Sequence, residues 1–133
     1  MRLGRMIAGL LLLFGAGCSS SNTQSGTVDE QFGTGLEEVG GLLRDYSADT
    51  GRAPTKLADL AKNEPLYPRG YQAIKSGSAT VVWGVKMPPE GQGGEDIIAY
   101  ETKVATGGGY VLLTNGKVKK MTADEFKSAP KAK

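Results

Sequence analysis

The chain has 133 residues, with 16 Lys plus Arg, 14 Asp plus Glu and a net charge of +2. That length holds one domain. Arg2 and Arg5 account for the positive excess, so the chain carries no basic footprint for nucleic acid, which is not an expected partner. Histidine is absent and cysteine occurs once, at Cys18. Those two facts exclude imidazole acid–base chemistry, Ser-His and Cys-His nucleophile pairs, nearly all zinc and haem sites and an intrachain disulfide.

The chain opens with a processing segment. Arg2 and Arg5 precede an uncharged run, Met6–Gly17, centred on Leu10-Leu11-Leu12-Leu13-Phe14. As a helix the run reaches roughly 18 Å, short of the roughly 30 Å of bilayer hydrocarbon, and it has the proportions of a signal-peptide core. Its exit, Phe14-Gly15-Ala16-Gly17-Cys18, resembles the lipobox of bacterial lipoproteins, although Gly15 stands where that family usually has Leu. The resemblance implies a signal peptide at 1–17, cleavage by signal peptidase II between Gly17 and Cys18, and lipidation of the Cys18 thiol. Several acyl chains on one residue hold a protein stably on a membrane. Ser19 stands where an Asp would favour inner-membrane retention, so the resemblance implies the outer membrane, facing the periplasm. Residues 18–27 are polar and turn-forming and read as a flexible tether.

Residues 28–129 read as one α+β domain. Val28, Phe32, Leu36, Val39, Leu43 and Tyr46 step by 3 or 4, the stripe of an amphipathic helix. Gly33, Gly35, Gly40 and Gly41 each cost it roughly 1 kcal/mol, so packing must hold it. Asp49-Thr50-Gly51 is its expected stop. A short helix is expected at Thr55–Ala61, then an extended segment set by Pro65 and Pro68. Strands are expected at Gln72–Lys75, Ala79–Lys86 and Asp96–Glu101. Tyr110–Thr114 and Lys117–Met121 flank Asn115-Gly116, a signal for a type I′ hairpin. Thr122-Ala123-Asp124-Glu125 is a capping box, and 130–133 read as a frayed tail. The expected architecture is an N-terminal amphipathic helix packed on a small antiparallel sheet.

Tyr46, Thr50, Gly51, Arg52 and Pro54, with the stretch Ile97–Phe126, resemble pilin and pseudopilin heads. The Ile97–Phe126 stretch is similar to the tail of bacterial prepilin-like proteins carrying a His, nine residues, Asp-Gly signature. Ala105 and Asn115 replace that His and Asp here, so any function tied to them is not implied. The resemblance implies a pilin-like head. Because the apolar segment ends in a lipobox-like motif, it implies a head on a lipid tether rather than a filament subunit.

Candidate sites are few. Glu90, Glu95 and Asp96 flank a Gly-rich loop, and oxygen ligands on flexible backbone suit Ca²⁺; this is the only metal expected, and no other cofactor is. Thr106-Gly107-Gly108-Gly109 feeds a strand and not a helix, so it reads as a hairpin loop and not a phosphate cradle. Lys117, Lys119, Lys120, Lys127, Lys131 and Lys133 read as guards of a sheet edge. Trp83, Tyr71, Tyr100 and Tyr110 read as sheet and core packing. Neither Glu37/Glu38 nor Glu95/Asp96 has an apolar wall in the sequence to tune a catalytic carboxyl. The expectation is therefore a non-enzymatic, lipid-anchored envelope module that binds another envelope protein of a secretion or surface apparatus. The alternative is a small-ligand or Ca²⁺-binding module.

Overall fold

The computed structural model describes residues 26–133, with side chains from residue 35 onward. The expected signal peptide at 1–17, Cys18, residues 18–25 of the expected tether, and the side chains of Val28 and Phe32 lie outside the described residues. Helix α1 runs Gly26–Thr50, so Gly26 and Thr27 belong to it rather than to a tether. A 3₁₀ helix, Leu57–Leu66, leads into α2, Pro68–Ser76. Strands β1 (Ala79–Val81) and β2 (Ile97–Glu101) follow, then a single turn α3 (Val104–Gly107), β3 (Gly109–Leu113), β4 (Val118–Met121) and α4 (Ala123–Ser128). The four strands form one antiparallel sheet in the order β1-β2-β3-β4. The α+β class holds.

Both faces of this sheet are covered. On one face α1 contributes Leu36, Val39, Leu42 and Leu43, packed with Leu60, Ala79, Val81, Met87, Ile98, Ala99 and Leu112. On the other, Phe126 of α4 and Val104 of α3 pack with Ile97, Val111, Leu113 and Met121. Alternation along β3 sends Leu112 to α1 and Val111 and Leu113 to α4. In β2 a register shift between Ile97 and Ala99 breaks the alternation and puts Ile98 and Ala99 together under α1.

Two glycines, Gly41 of α1 and Gly70 of α2, have a packing role. A Cβ on Gly41 would meet the Tyr67 ring (Cζ at 2.6 Å), and one on Gly70 would meet the α1 backbone (Val39 N at 2.6 Å). Glycine at each position lets α1 and the start of α2 approach backbone to side chain, which offsets its poor helix propensity. The helix stops where expected: Gly51 takes φ 68° and its N–H donates to Ser47 O at 2.9 Å.

Several local expectations are corrected. The helix expected at Thr55–Ala61 is a 3₁₀ helix that runs on through Pro65 to Leu66. Gln72–Lys75 is not a strand but the C-terminal half of α2. Pro68 occupies the first turn of that helix, where its missing N–H costs nothing and its φ suits the turn. The strand at Ala79–Lys86 ends at Val81. Gly84, at φ 82°, donates its N–H to Pro54 O at 2.8 Å and turns the chain off the sheet. Trp83 and Val85 still pack on the α1 core.

The β3–β4 hairpin forms where expected, with a different turn. Gly116 N–H donates to Leu113 O at 2.9 Å and Leu113 N–H to Lys117 O at 2.9 Å. The two central turn residues are therefore Thr114 and Asn115. Gly116 follows at φ 88°, the arrangement of a three-residue hairpin loop with glycine in the left-handed position. Asn115 Oδ1 accepts the Lys117 N–H at 2.9 Å. The capping box of α4 is present: Thr122 Oγ1 accepts from Glu125 N at 3.1 Å and Glu125 Oε1 from Thr122 N at 3.3 Å.

The tail is docked, not frayed. Ile97 N–H donates to Pro130 O at 3.0 Å, and Ala132 N–H to Ile97 O at 2.8 Å, with Lys131 and Ile97 forming a parallel bridge. Ala132 is buried. Lys131 is no edge guard either: its Nζ caps α4 by donating to Phe126 O at 2.7 Å and Ala129 O at 2.8 Å, and sits 4.2 Å from the Phe126 ring centroid.

Two stability predictions follow from these contacts. Gly116→Val puts a β-branched residue at positive φ with its Cβ 2.7 Å from Arg44 Nη2. In urea melts it is expected to cost about 1–3 kcal/mol, whereas Asn115→Asp, which keeps the acceptor for Lys117, melts like the parent. Ala132→Asp is expected to cost about 1–3 kcal/mol by burying an unpaired charge. A frayed tail would register less than about 0.5 kcal/mol.

Candidate functional site

Glu101 ends β2 and is the buried carboxylate of the domain among the described residues. The strand carries it to the α1 face, next after Tyr100, which packs against Phe126 on the opposite face with ring centroids 4.7 Å apart. Glu101 Oε1 accepts the Tyr110 N–H at 2.7 Å. Its Oε2 lies 3.8 Å from Lys103 Nζ; the Glu101 side chain is 5% exposed and that of Lys103 63%. A buried carboxylate is costly unless its lone pairs are satisfied, so this arrangement marks the position.

Two clefts meet at Glu101. One, about 630 Å³, is walled by α1 (Gly35, Leu36), α2 (Arg69, Ala73) and β1 (Ala79), and its surface is mainly apolar. At its α2 end Ser76 and Ser78 each bond to Ala73 O, at 3.2 and 3.1 Å, so those hydroxyls are tied to the helix terminus. The other cleft, about 710 Å³, is more polar and lies between the 103–110 connection and the start of α4, with Lys103, Tyr110, Lys120 and Glu125 on its walls. Lys120 Nζ stands 5.7 Å from the Tyr110 ring centroid.

Among the described residues, a polar contact just before α2 ties that wall to α1. Tyr67 OH donates to Asp45 Oδ2 at 3.0 Å. That hydrogen bond, then burial and the Asp45 charge, raise the Tyr67 phenol above its ordinary value of 10.

The residues singled out from sequence fall elsewhere. Glu90, Glu95 and Asp96 are all exposed, and among the described residues no group of three or more acidic or thiol side chains is placed to hold a metal. Their loop is tied instead to the hairpin: Thr114 Oγ1 accepts from Gly94 N at 2.9 Å and donates to Gly94 O at 3.1 Å. Residues 104–107 form α3 and Gly109 begins β3, so the connection expected as a hairpin loop at Thr106–Gly109 contains the end of a helical turn. Trp83, Tyr71 and Tyr110 pack against the α1 core, and Tyr100 against the α4 core. Lys117, Lys119, Lys120, Lys127 and Lys133 are exposed, and Lys131 is half-buried. Gly17 and Cys18 lie outside the described residues. Sequence reasoning missed Glu101, although a signal existed: it shares strand parity with Ala99, on the face that α1 covers.

No protein-family model, curated protein or solved structure matches the chain. No helix among the described residues is long and apolar enough to cross a membrane.

The Tyr67–Asp45 bond gives a pH-dependent prediction. A raised phenol pKa means its contribution is complete below pH about 10 and is lost as pH climbs through the folded-state value. Tyr67→Phe is expected to cost about 0.5–1.5 kcal/mol at neutral pH. The gap to the parent should close in urea melts taken well above pH 10. An unchanged gap at high pH would show that the hydroxyl is not what couples the helices.

Proposed function

We propose that the chain is a lipid-anchored envelope protein, held through Cys18, whose pilin-like head is a non-enzymatic docking module for another envelope protein. The observation that carries this reading is the layout of the domain. A single 25-residue helix, α1, enters it and lies across a four-stranded antiparallel meander. The Phe14–Cys18 motif stands just upstream in the chain. That order matches what the pilin resemblance implies for a head, and the lipobox-like motif replaces the retained apolar helix of a filament subunit. Stable anchoring by the acyl chains of one cysteine leaves the head at the membrane surface, and Ser19 favours the outer membrane facing the periplasm.

Cys18→Ser tests the anchor. The variant is expected to remain an uncut precursor or to appear as a soluble form, with no incorporation of labelled fatty acid. A variant that still partitions with membranes at the mature size would end the lipoprotein reading.

A further inference from the structure

We infer that Asn115 is a self-modification site, an asparagine that deamidates through its own backbone, and that the β3–β4 hairpin holds the reaction shut. The inference is independent of the docking reading. Asn115 and Gly116 stand side by side in the turn, both half-buried and so in reach of water. Glycine after the asparagine leaves no side chain in the way of the attacking nitrogen.

The chemistry is a ring closure followed by hydrolysis. The Gly116 nitrogen gives its proton to hydroxide and forms a bond to Asn115 Cγ. The bond between Cγ and Nδ2 breaks, and ammonia leaves with a proton taken from water. Water then opens the cyclic imide at one of its two carbonyls. Opening at Cγ gives aspartate; opening at the main-chain carbon gives isoaspartate, whose backbone runs through Cβ and Cγ. Overall, water is consumed and ammonia released, and nothing is oxidised or reduced.

The fold blocks this route at both reacting groups. The Gly116 N–H, which must lose its proton, donates to Leu113 O at 2.9 Å. The Asn115 amide, which must turn its carbon towards that nitrogen, is pinned by the Lys117 N–H, which donates to Oδ1 at 2.9 Å. Leu113 N–H to Lys117 O at 2.9 Å and Asn115 N–H to Gly94 O at 3.0 Å hold the turn in place. The Lys117 bond polarises the Asn115 carbonyl and by itself favours attack. The nitrogen has to be freed first, however, so opening of the turn decides the rate. An isoaspartate lengthens the main chain inside a three-residue hairpin loop, whose geometry depends on its length. A single opening is thereby recorded, and the hairpin does not close again in its original form.

The test follows the tryptic peptide 104–117 by mass spectrometry as the purified full chain, in detergent micelles, ages in mildly alkaline buffer with and without urea. A capped peptide of residues 111–119 is aged alongside. In buffer, Asn115 of the chain is expected to convert at least about fivefold more slowly than Asn115 of the peptide, and in urea the two should match. The slowing is expected to equal, within about threefold, the hydrogen-exchange protection of the Gly116 amide, because both processes need that N–H freed. The isoaspartate fraction, separated by ion exchange, is expected to melt at lower urea than the parent. Conversion in buffer as fast as in the peptide, or as fast while the Gly116 amide stays protected, would overturn the gating. No conversion of Asn115 in urea would overturn the site, and an isoaspartate fraction that melts like the parent would overturn the lasting record.

Discussion

The domain depends on β3 being buried on both faces. Leu112 packs under Leu36, Val39, Leu42 and Leu43 of α1, while its neighbours Val111 and Leu113 pack with Phe126 and Met121. All three are essentially inaccessible. A strand with one wet face tolerates a one-residue slip poorly, and a strand with two dry faces made of different side chains tolerates it less. The register of β3 therefore decides which residues of β2 and β4 reach each layer. It also positions the Tyr110 N–H that Glu101 accepts. Removing the buried side chain of Leu112 would leave a cavity costing about 2–5 kcal/mol, a large share of the stability of a domain this size.

Around that strand, sequence-distant segments close the second layer. The tail reaches back to Ile97 and brings Lys131 onto the last carbonyls of α4. The 88–96 loop is held to the hairpin through Thr114 and Gly94. The α1–α2 crossing at Gly41 and Gly70 is close enough to exclude a methyl group. Together these contacts make the Glu101 clefts a product of packing: their walls come from α1, α2, β1 and the 103–110 connection, none of which is adjacent in sequence to all the others.

Features set by local chemistry were legible in the sequence. The α1 stripe and its Gly51 stop, the β2 strand, the β3–β4 hairpin and the Thr122 capping box each depend on a few neighbouring residues. Misreadings arose where a distant partner decides. Gln72–Lys75 is too short to distinguish strand from helix by periodicity, and Pro68 read as a breaker although it sits in the first turn of α2. The turn at Asn115-Gly116 shifted by one residue because Thr114, bonded to Gly94, takes a central position. The tail carries polar and small residues that look disordered until Ile97 offers its N–H and C=O. Glu101 looked like an ordinary polar strand end. Its parity with Ala99 gives the face it occupies, but its burial follows from α1 lying over that end of β2, which depends on a segment far away in sequence.

The central claim, that β3 is the doubly buried strand on which the layers are assembled, is tested most directly by native-state amide hydrogen exchange. The amides of β3 that bond within the sheet should be among the slowest in the chain. They should exchange only through global unfolding, together with the α1 amides around Val39–Leu43, and the 88–96 loop should exchange orders of magnitude faster. Exchange of the β3 amides through a local opening, at rates close to those of the 88–96 loop, would contradict the account.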